Sequence, residues 1–345
     1  MKARMILGMM SLALAVAPRA MAEEILYVHN TMSGEISKVA IPEHDVVGEI
    51  EIGKYMDFVY PSPDGKTLYV NRIEGMGVPI APNIGEEGEI IAVDTRTDEI
   101  QWRLDIDGMT HHHIVSKDGK RLFVPLYDTW WLAVVDLEKR EVMKKIFIGH
   151  GGHGTKLSPD GTKLYVGSMM YDTIMIIDTE MLQPIGRIGF PDGVRPFTIT
   201  NDGKTMYVQL SRHNGFYKVN LETGEKEEYI EMPAFPEERE IPEFYPHNVN
   251  HGLLLSKDNK YLYANGSLGG ELVVFSHPEL DVVARVPVGD DPNSIATSKD
   301  GQFIYVSNRG SDDLSIISRG DWKEVKRLPL GKYPQRMAVV DVPDE

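Results

Sequence analysis

From residue 23 onward, short runs rich in Val, Ile, Leu and Tyr alternate with tight polar turns. The unit is an apolar strand, a Ser-x-Asp-Gly turn, a strand ending near Leu-Tyr-Val, a loop, a strand ending near Asp, and a fourth strand. Its turns are Ser62-Pro63-Asp64-Gly65, Ser116-Lys117-Asp118-Gly119, Ser158-Pro159-Asp160-Gly161, Asn201-Asp202-Gly203, Ser256-Lys257-Asp258-Asn259 and Ser298-Lys299-Asp300-Gly301. Asp-Gly pairs supply the backbone angles of tight hairpins, and the flanking β-branched and aromatic residues favour strands.

Aligned on these turns, Asp57, His111, His153, Arg195, His251, Asn293 and Gln335 share one slot, at spacings of 54, 42, 42, 56, 42 and 42 residues. Such a period in short antiparallel strands predicts a propeller of about four strands per blade. Seven slots predict an all-β, seven-bladed β-propeller occupying residues 23–345 as a single domain. The last slot is followed by one strand, Met337 to Val342. The N-terminus offers three more, Ile25 to His29, Glu35 to Ile41 and Val46 to Ile52. The final blade is therefore expected to combine N-terminal strands with one C-terminal strand, a closure that removes open sheet edges.

Strand ends such as Tyr69-Val70-Asn71 and Tyr305-Val306-Ser307-Asn308 resemble the YVTN family of bacterial β-propellers, over essentially the whole chain after residue 22. The resemblance implies the fold. It leaves function open, since relatives include surface-layer proteins and accessory subunits of amine dehydrogenases.

The first 22 residues carry Lys2 and Arg4, an apolar run from Met5 to Ala17, and a small-x-small end at Ala20-Met21-Ala22, which reads as a secretory signal peptide. Its removal leaves 33 basic against 52 acidic residues, a charge of -19 on 323 residues, and places the protein in the periplasm. No later stretch is long and apolar enough to span a bilayer. So acidic a chain is unsuited to nucleic acid or an anionic membrane. The absence of Cys excludes thiolate metal sites, thiol nucleophiles and disulfides. No Gly-x-Ser-x-Gly elbow or His-Glu-x-x-His helix is present, and Gly149-His150-Gly151-Gly152-His153-Gly154 lacks the Lys-Ser/Thr ending of a phosphate loop.

The slot places one residue per blade around a single mouth of the channel. Imidazole and carboxylate ligands suit a transition or divalent ion, so His111, His153, His251 and Asp57 form the expected metal set. Copper is the favoured metal, with zinc, iron or manganese as alternatives. Asp57, Arg195 and His112 are the candidate catalytic groups, Asp57 as ligand or base and Arg195 as a fixed cation for an anionic substrate. Strand alternation puts 111 and 113 on one side and 112 on the other. His113, His150 and His247 are candidate outer partners of the ligands. Asn293, Gln335, Tyr127, Tyr171 and His213 are candidate substrate contacts.

Insertions of 12 and 14 residues, near Arg72 to Glu87 and near Glu231 to His247, account for the two long spacings and are expected to rim the same mouth. They bring Met76, Ile80, Met232, Phe235, Phe244 and Tyr245, a composition suited to covering a pocket. Histidines gathered at a propeller hub resemble the copper-bearing propellers of nitrous oxide reductase and thiocyanate dehydrogenase. Propeller lactonases and lyases place metals or His/Arg sets in the same region. The sequence thus points to a periplasmic metal-dependent enzyme acting on a small organic or anionic molecule, leaning to a copper oxidoreductase with a periplasmic redox partner. A divalent-metal lyase or lactonase, and a noncatalytic metal-binding or accessory scaffold, are the alternatives.

Overall fold

The computed structural model describes residues 24–73, 87–234 and 249–343. The expected export segment, most of both insertions and His247 lie outside the described residues. Among the described residues every regular element is a strand, and 28 strands form seven four-stranded antiparallel sheets.

Numbered by slot, blade one runs from Met56 to Asp107, blade two from Ile114 to Phe147 and blade three from Gly152 to Gly189. Blade four spans Val194 to Glu231, blade five Leu253 to Pro287 and blade six Pro292 to Pro329. Blade seven is composite: Pro334–Asp341 is its innermost strand, and Glu24–Asn30, Glu35–Ile41 and Val46–Glu51 are added outward from it. That innermost strand begins three residues before the expected Met337. Gln335 and Arg336 therefore belong to it.

The turns have a physical basis shared by the repeats. Gly65, Gly119, Gly161, Gly203 and Gly301 take φ between +70° and +78°, and Asn259 substitutes at +57°. In each Ser-x-Asp turn the Ser hydroxyl donates to the Asp carboxylate, as Ser62 does to Asp64 at 2.6 Å, and that carboxylate accepts a backbone N–H two residues on.

Seven apolar clusters glue the ring, one between each pair of neighbouring blades. The cluster of Ile25, Tyr27, Met56, Val59 and Ile91 joins blade seven to blade one, and that of Leu26, Val28, Tyr305 and Leu314 joins it to blade six. The Tyr of the Leu-Tyr-Val ends is the large core residue of several blades: Tyr27, Tyr207, Tyr263 and Tyr305 are fully buried. Each such side chain contributes roughly 1.5–3 kcal/mol of burial. The N-terminal strands thus hold the ring closed through two interfaces, which fixes the channel mouth where the slot residues meet.

Candidate active site

The slot falls at a break in the strand ladder. Asp57 is an extra residue between the Met56–Arg72 and Phe58–Asn71 pairs, and Asn293 lies between Pro292–Asn308 and Ser294–Ser307. His153 with Gly154, Arg195 with Pro196, and Gln335 with Arg336 are each two residues set against a single partner residue. A bulge of this kind bends the strand and re-aims side chains. It also cancels the strict alternation expected of residues 111–113. His111 and His112 both approach Asp57, at 3.0 Å and 3.8 Å, while His113 turns into the wall and sets its Nε2 3.1 Å from the Tyr69 carbonyl.

The imidazoles converge. The His112 ring centroid lies 4.0 Å from that of His153, His111 is 5.2 Å from His153, and His251 is 6.0 Å from His153. Donor atoms of His111, His112 and His153 all fall within 4.8 Å of one another. The slot residues brought together are thus Asp57, His111, His153 and His251, with His112 added by the bulge.

At the centre stands a residue the sequence reading passed over. Arg336 Nη2 donates to His112 Nε2 at 3.0 Å and to His251 Nε2 at 3.1 Å, and the Arg336 backbone N–H donates to His29 Nε2 at 3.0 Å. His251 Nδ1 lies 3.3 Å from the Asn293 carbonyl. This network assigns His251 as the Nδ1–H tautomer and engages both of its ring nitrogens. In the expected metal set, His251 is thereby occupied by a guanidinium and a carbonyl, and His112 lies with His111 and His153 instead. Arg336 follows slot residue Gln335 as His112 follows His111, so slot-plus-one was the signal for both. His29 carried no slot signal, being on the strand next to the innermost one.

Electrostatics follow from this burial. Burial, reinforced by Arg336, holds His112 and His251 well below the usual imidazole range; burial with His111 and Arg195 does so for His153. His29 is pushed down to about 3 and His113 to about 4, chiefly by burial. Burial opposes the ionised Asp57, but His111, Arg336 and His29 outweigh it and hold the carboxyl below its ordinary value. Burial lowers Arg336 from the ordinary arginine range, with Asp57 opposing, and leaves it charged at neutral pH. With these five imidazoles neutral, the mouth carries Arg195 and Arg336 against Asp57. It is a positive site in an acidic chain.

Arg195 is anchored by Ser211 Oγ, which accepts from its Nε at 2.8 Å, and by Met169 Sδ, 3.0 Å from Nη1. Asn293 is buried, and neither its amide nitrogen nor its amide oxygen has a hydrogen-bond partner among the described residues; the same holds for His153 Nδ1 and Arg336 Nε. Tyr127 is buried with its ring 5.1 Å from His111. Gln335 is half-buried on the innermost strand, its carbonyl accepting from the Ser307 hydroxyl. His150 and Tyr171 stand further out, beside Trp130. His213 is not brought to the cluster: its Nε2 lies 3.9 Å from Asp192, and its ring packs near Tyr217 and Tyr229 on blade four.

A cavity of about 950 Å³ opens at the opposite, turn-side mouth. Its charged lining is Asp64, Lys117, Lys156, Lys257 and Asp341, with no imidazole. This cavity and the imidazole cluster thus sit at different ends of the channel. The convergence of neutral imidazoles, a carboxylate and two guanidiniums marks the slot-side mouth as the candidate site.

Comparison with known proteins bears on this arrangement. The chain is similar to the periplasmic gluconolactonase PpgL of Pseudomonas aeruginosa, at 19% identity over 93% of this chain and 100% of that one, with a TM-score of 0.70. It is also similar to a 6-phosphogluconolactonase candidate from Bacteroides fragilis, at 16% identity, 94% and 100% coverage and a TM-score of 0.71. Hydrazine synthase of Kuenenia stuttgartiensis aligns at 20% identity over 83% of this chain and 95% of that one, with a TM-score of 0.66. These likenesses show the fold. Among curated proteins no significant match is found. Residues 24–335 match the family described as lactonase, seven-bladed β-propeller, and the chain belongs to that family.

Proposed function

We propose that this protein is an exported hydrolase that opens a small lactone at the slot-side mouth, giving the hydroxy acid. The observation that carries the reading is the pairing of a His111–Asp57 contact with two buried guanidiniums around polar atoms that have no partner among the described residues. Membership of the lactonase family and the likeness to gluconolactonase folds support it above the copper oxidoreductase.

In this reading Asp57 orients His111, whose Nδ1 it approaches at 3.0 Å, and leaves Nε2 to accept a proton from water. The 3.0 Å contact is bent off the hydrogen-bond line, and a small ring rotation on substrate binding would straighten it. Water attacks the lactone carbonyl carbon, and Arg336 faces the oxygen that gains charge. As the ring C–O bond breaks, His111 returns its proton to the leaving alkoxide. The net change is one water consumed and one hydroxy acid formed, which loses its acidic proton to solvent and leaves a carboxylate that Arg195 receives.

A second reading rests on the His111, His112 and His153 donors. Zinc–nitrogen bonds of about 2.0–2.1 Å in a tetrahedron set donors about 3.4 Å apart, so these rings would have to draw closer than their present 4.8 Å limit. His112 would also have to release Arg336 or bind through Nδ1. A bound divalent ion would polarise the carbonyl and acidify water. The neighbouring guanidinium makes this the less favoured reading.

The test is hydrolysis of a panel of five- and six-membered lactones by the chain from residue 23, followed by acid release, before and after chelation and with zinc, manganese or copper restored. Lactone opening that survives chelation supports the first reading. Opening lost to chelator and restored by a divalent ion supports the second. No opening of any lactone overturns both.

A further inference from the structure

We infer that the site continues outward along a lane of aromatic rings on blades two and three, and that its substrate is a lactone bearing an aryl group. This rests on the lactone-hydrolase reading of the same mouth. From His111 the lane passes to Tyr127 at 5.1 Å between centroids, from Tyr127 to His150 at 6.4 Å, and from His150 to Trp130 at 5.5 Å. Trp130 then meets Phe147 at 6.0 Å in a stacked arrangement and Tyr171 at 6.3 Å edge-on.

Trp130, Trp131, Phe147, Tyr171 and Tyr229 are the exposed large aromatics among the described residues. Three of the five sit in this lane and Trp131 meets Phe147 edge-on at 5.8 Å, the four having exposures of 39–46%, beside Met170 at 50%. The other exposed apolar residues, such as Val46, Met181, Val282 and Val325, are not aromatic, and of them Met143 shares a strand with Phe147. A contiguous exposed apolar patch joined to a polar cleft is the form of a ligand groove.

The glycine-rich run explains why the lane belongs to the site. Gly149 has φ +86°, and a Cβ there would stand 2.7 Å from the Tyr171 ring; Gly151 has φ +79°, and a Cβ there would stand 2.6 Å from Met170 Cβ. No other residue lets this loop lie flat against Met170 and Tyr171. The Ser168 hydroxyl completes the tie, donating to the His150 carbonyl at 2.6 Å and accepting from the Tyr171 N–H at 2.7 Å. The loop that carries His153 into the imidazole cluster therefore also seats the exposed rings. A flat apolar group attached to the reacting ring would lie along Tyr127 toward Trp130, with its edges and faces met by rings set at 64° and 75° to Trp130.

The experiment compares kcat/KM for dihydrocoumarin and for δ-valerolactone in the chain from residue 23. Trp130→Ala and Phe147→Ala should each lower the aryl-to-alkyl ratio about tenfold, the size expected for one lost ring contact. Met181→Ala, an exposed apolar change elsewhere, should leave the ratio unchanged. In parallel, calorimetric binding of 3-(2-hydroxyphenyl)propanoate should weaken about tenfold in Trp130→Ala. Ratios within twofold of the original in both lane variants, with acid binding unaltered, overturn the aryl subsite and leave the hydrolase standing. Binding of the aryl acid that depends on Trp130, with neither lactone opened, sustains the subsite and overturns the hydrolase.

Discussion

Arg336→Met is the most informative single change, because one side chain links two histidines and faces the reacting space. Methionine keeps a flexible stem of similar reach and removes the charge and all donors. If Arg336 meets the developing oxyanion, kcat for lactone opening falls by about 10²–10³, the range for loss of one preorganised donor. Stability should change far less. Two buried imidazole nitrogens lose their donor, at about 1–3 kcal/mol each, while the desolvation of a buried cation, several kcal/mol by itself, is relieved. These terms oppose one another, and the melting temperature is expected to move by only a few degrees. The histidines supply an independent readout. Arg336 is the largest charge acting on His112 and His251, so its removal must move both titrations upward toward the usual imidazole range. Stopped assays with a pH indicator give kcat, and nitrogen-detected NMR of the imidazoles gives the titrations. Arg336→Lys keeps a charge without the planar fork and should recover the titrations more than the rate. A Met variant that is folded, shows both titrations moved, and retains kcat within threefold would refute the oxyanion role while leaving the network intact.

Two further outcomes follow from the same geometry. Asp57→Asn removes the partner 3.0 Å from His111 and should lower kcat about 100-fold with little change in KM; an equal loss confined to KM would make Asp57 a substrate contact instead. Acid should destabilise the fold before carboxylates titrate. His29 and His113 have folded-state values of about 3 and about 4, below the unfolded value, so their contribution is present above about pH 6.5 and is lost as pH falls toward those values. Each adds a slope of about 1.4 kcal/mol per pH unit, and denaturant melts at pH 7, 6 and 5 should show it; a flat profile would mean that these rings are solvated.

The repeat period made the ring legible because propeller closure depends on a constant strand and turn unit, and Asp-Gly turns mark that unit without reference to distant contacts. The slot was legible for the same reason: alignment on the turns places Asp57, His111, His153 and His251 at equivalent positions of four blades around one mouth. Alternation failed where the backbone stops alternating. A bulge inserts a residue without leaving a composition mark, so alternation put His112, a catalytic candidate, on the opposite strand side from His111 and gave no signal for Arg336, although both occupy the position after a slot residue. His29 was further out of reach, since its contact with Arg336 joins positions 307 residues apart through blade closure. Its role depends on N-terminal strands pairing with the C-terminal one, a topology that was foreseen without its register. The consequence reaches the chemistry. Histidine count alone favoured a metal cage, whereas the guanidinium placed among those histidines by the bulge consumes acceptor nitrogens and adds positive charge where a cation would bind. Arg336, a single residue outside the counted slots, therefore moves the balance from a metal centre toward an anion-stabilising hydrolytic site.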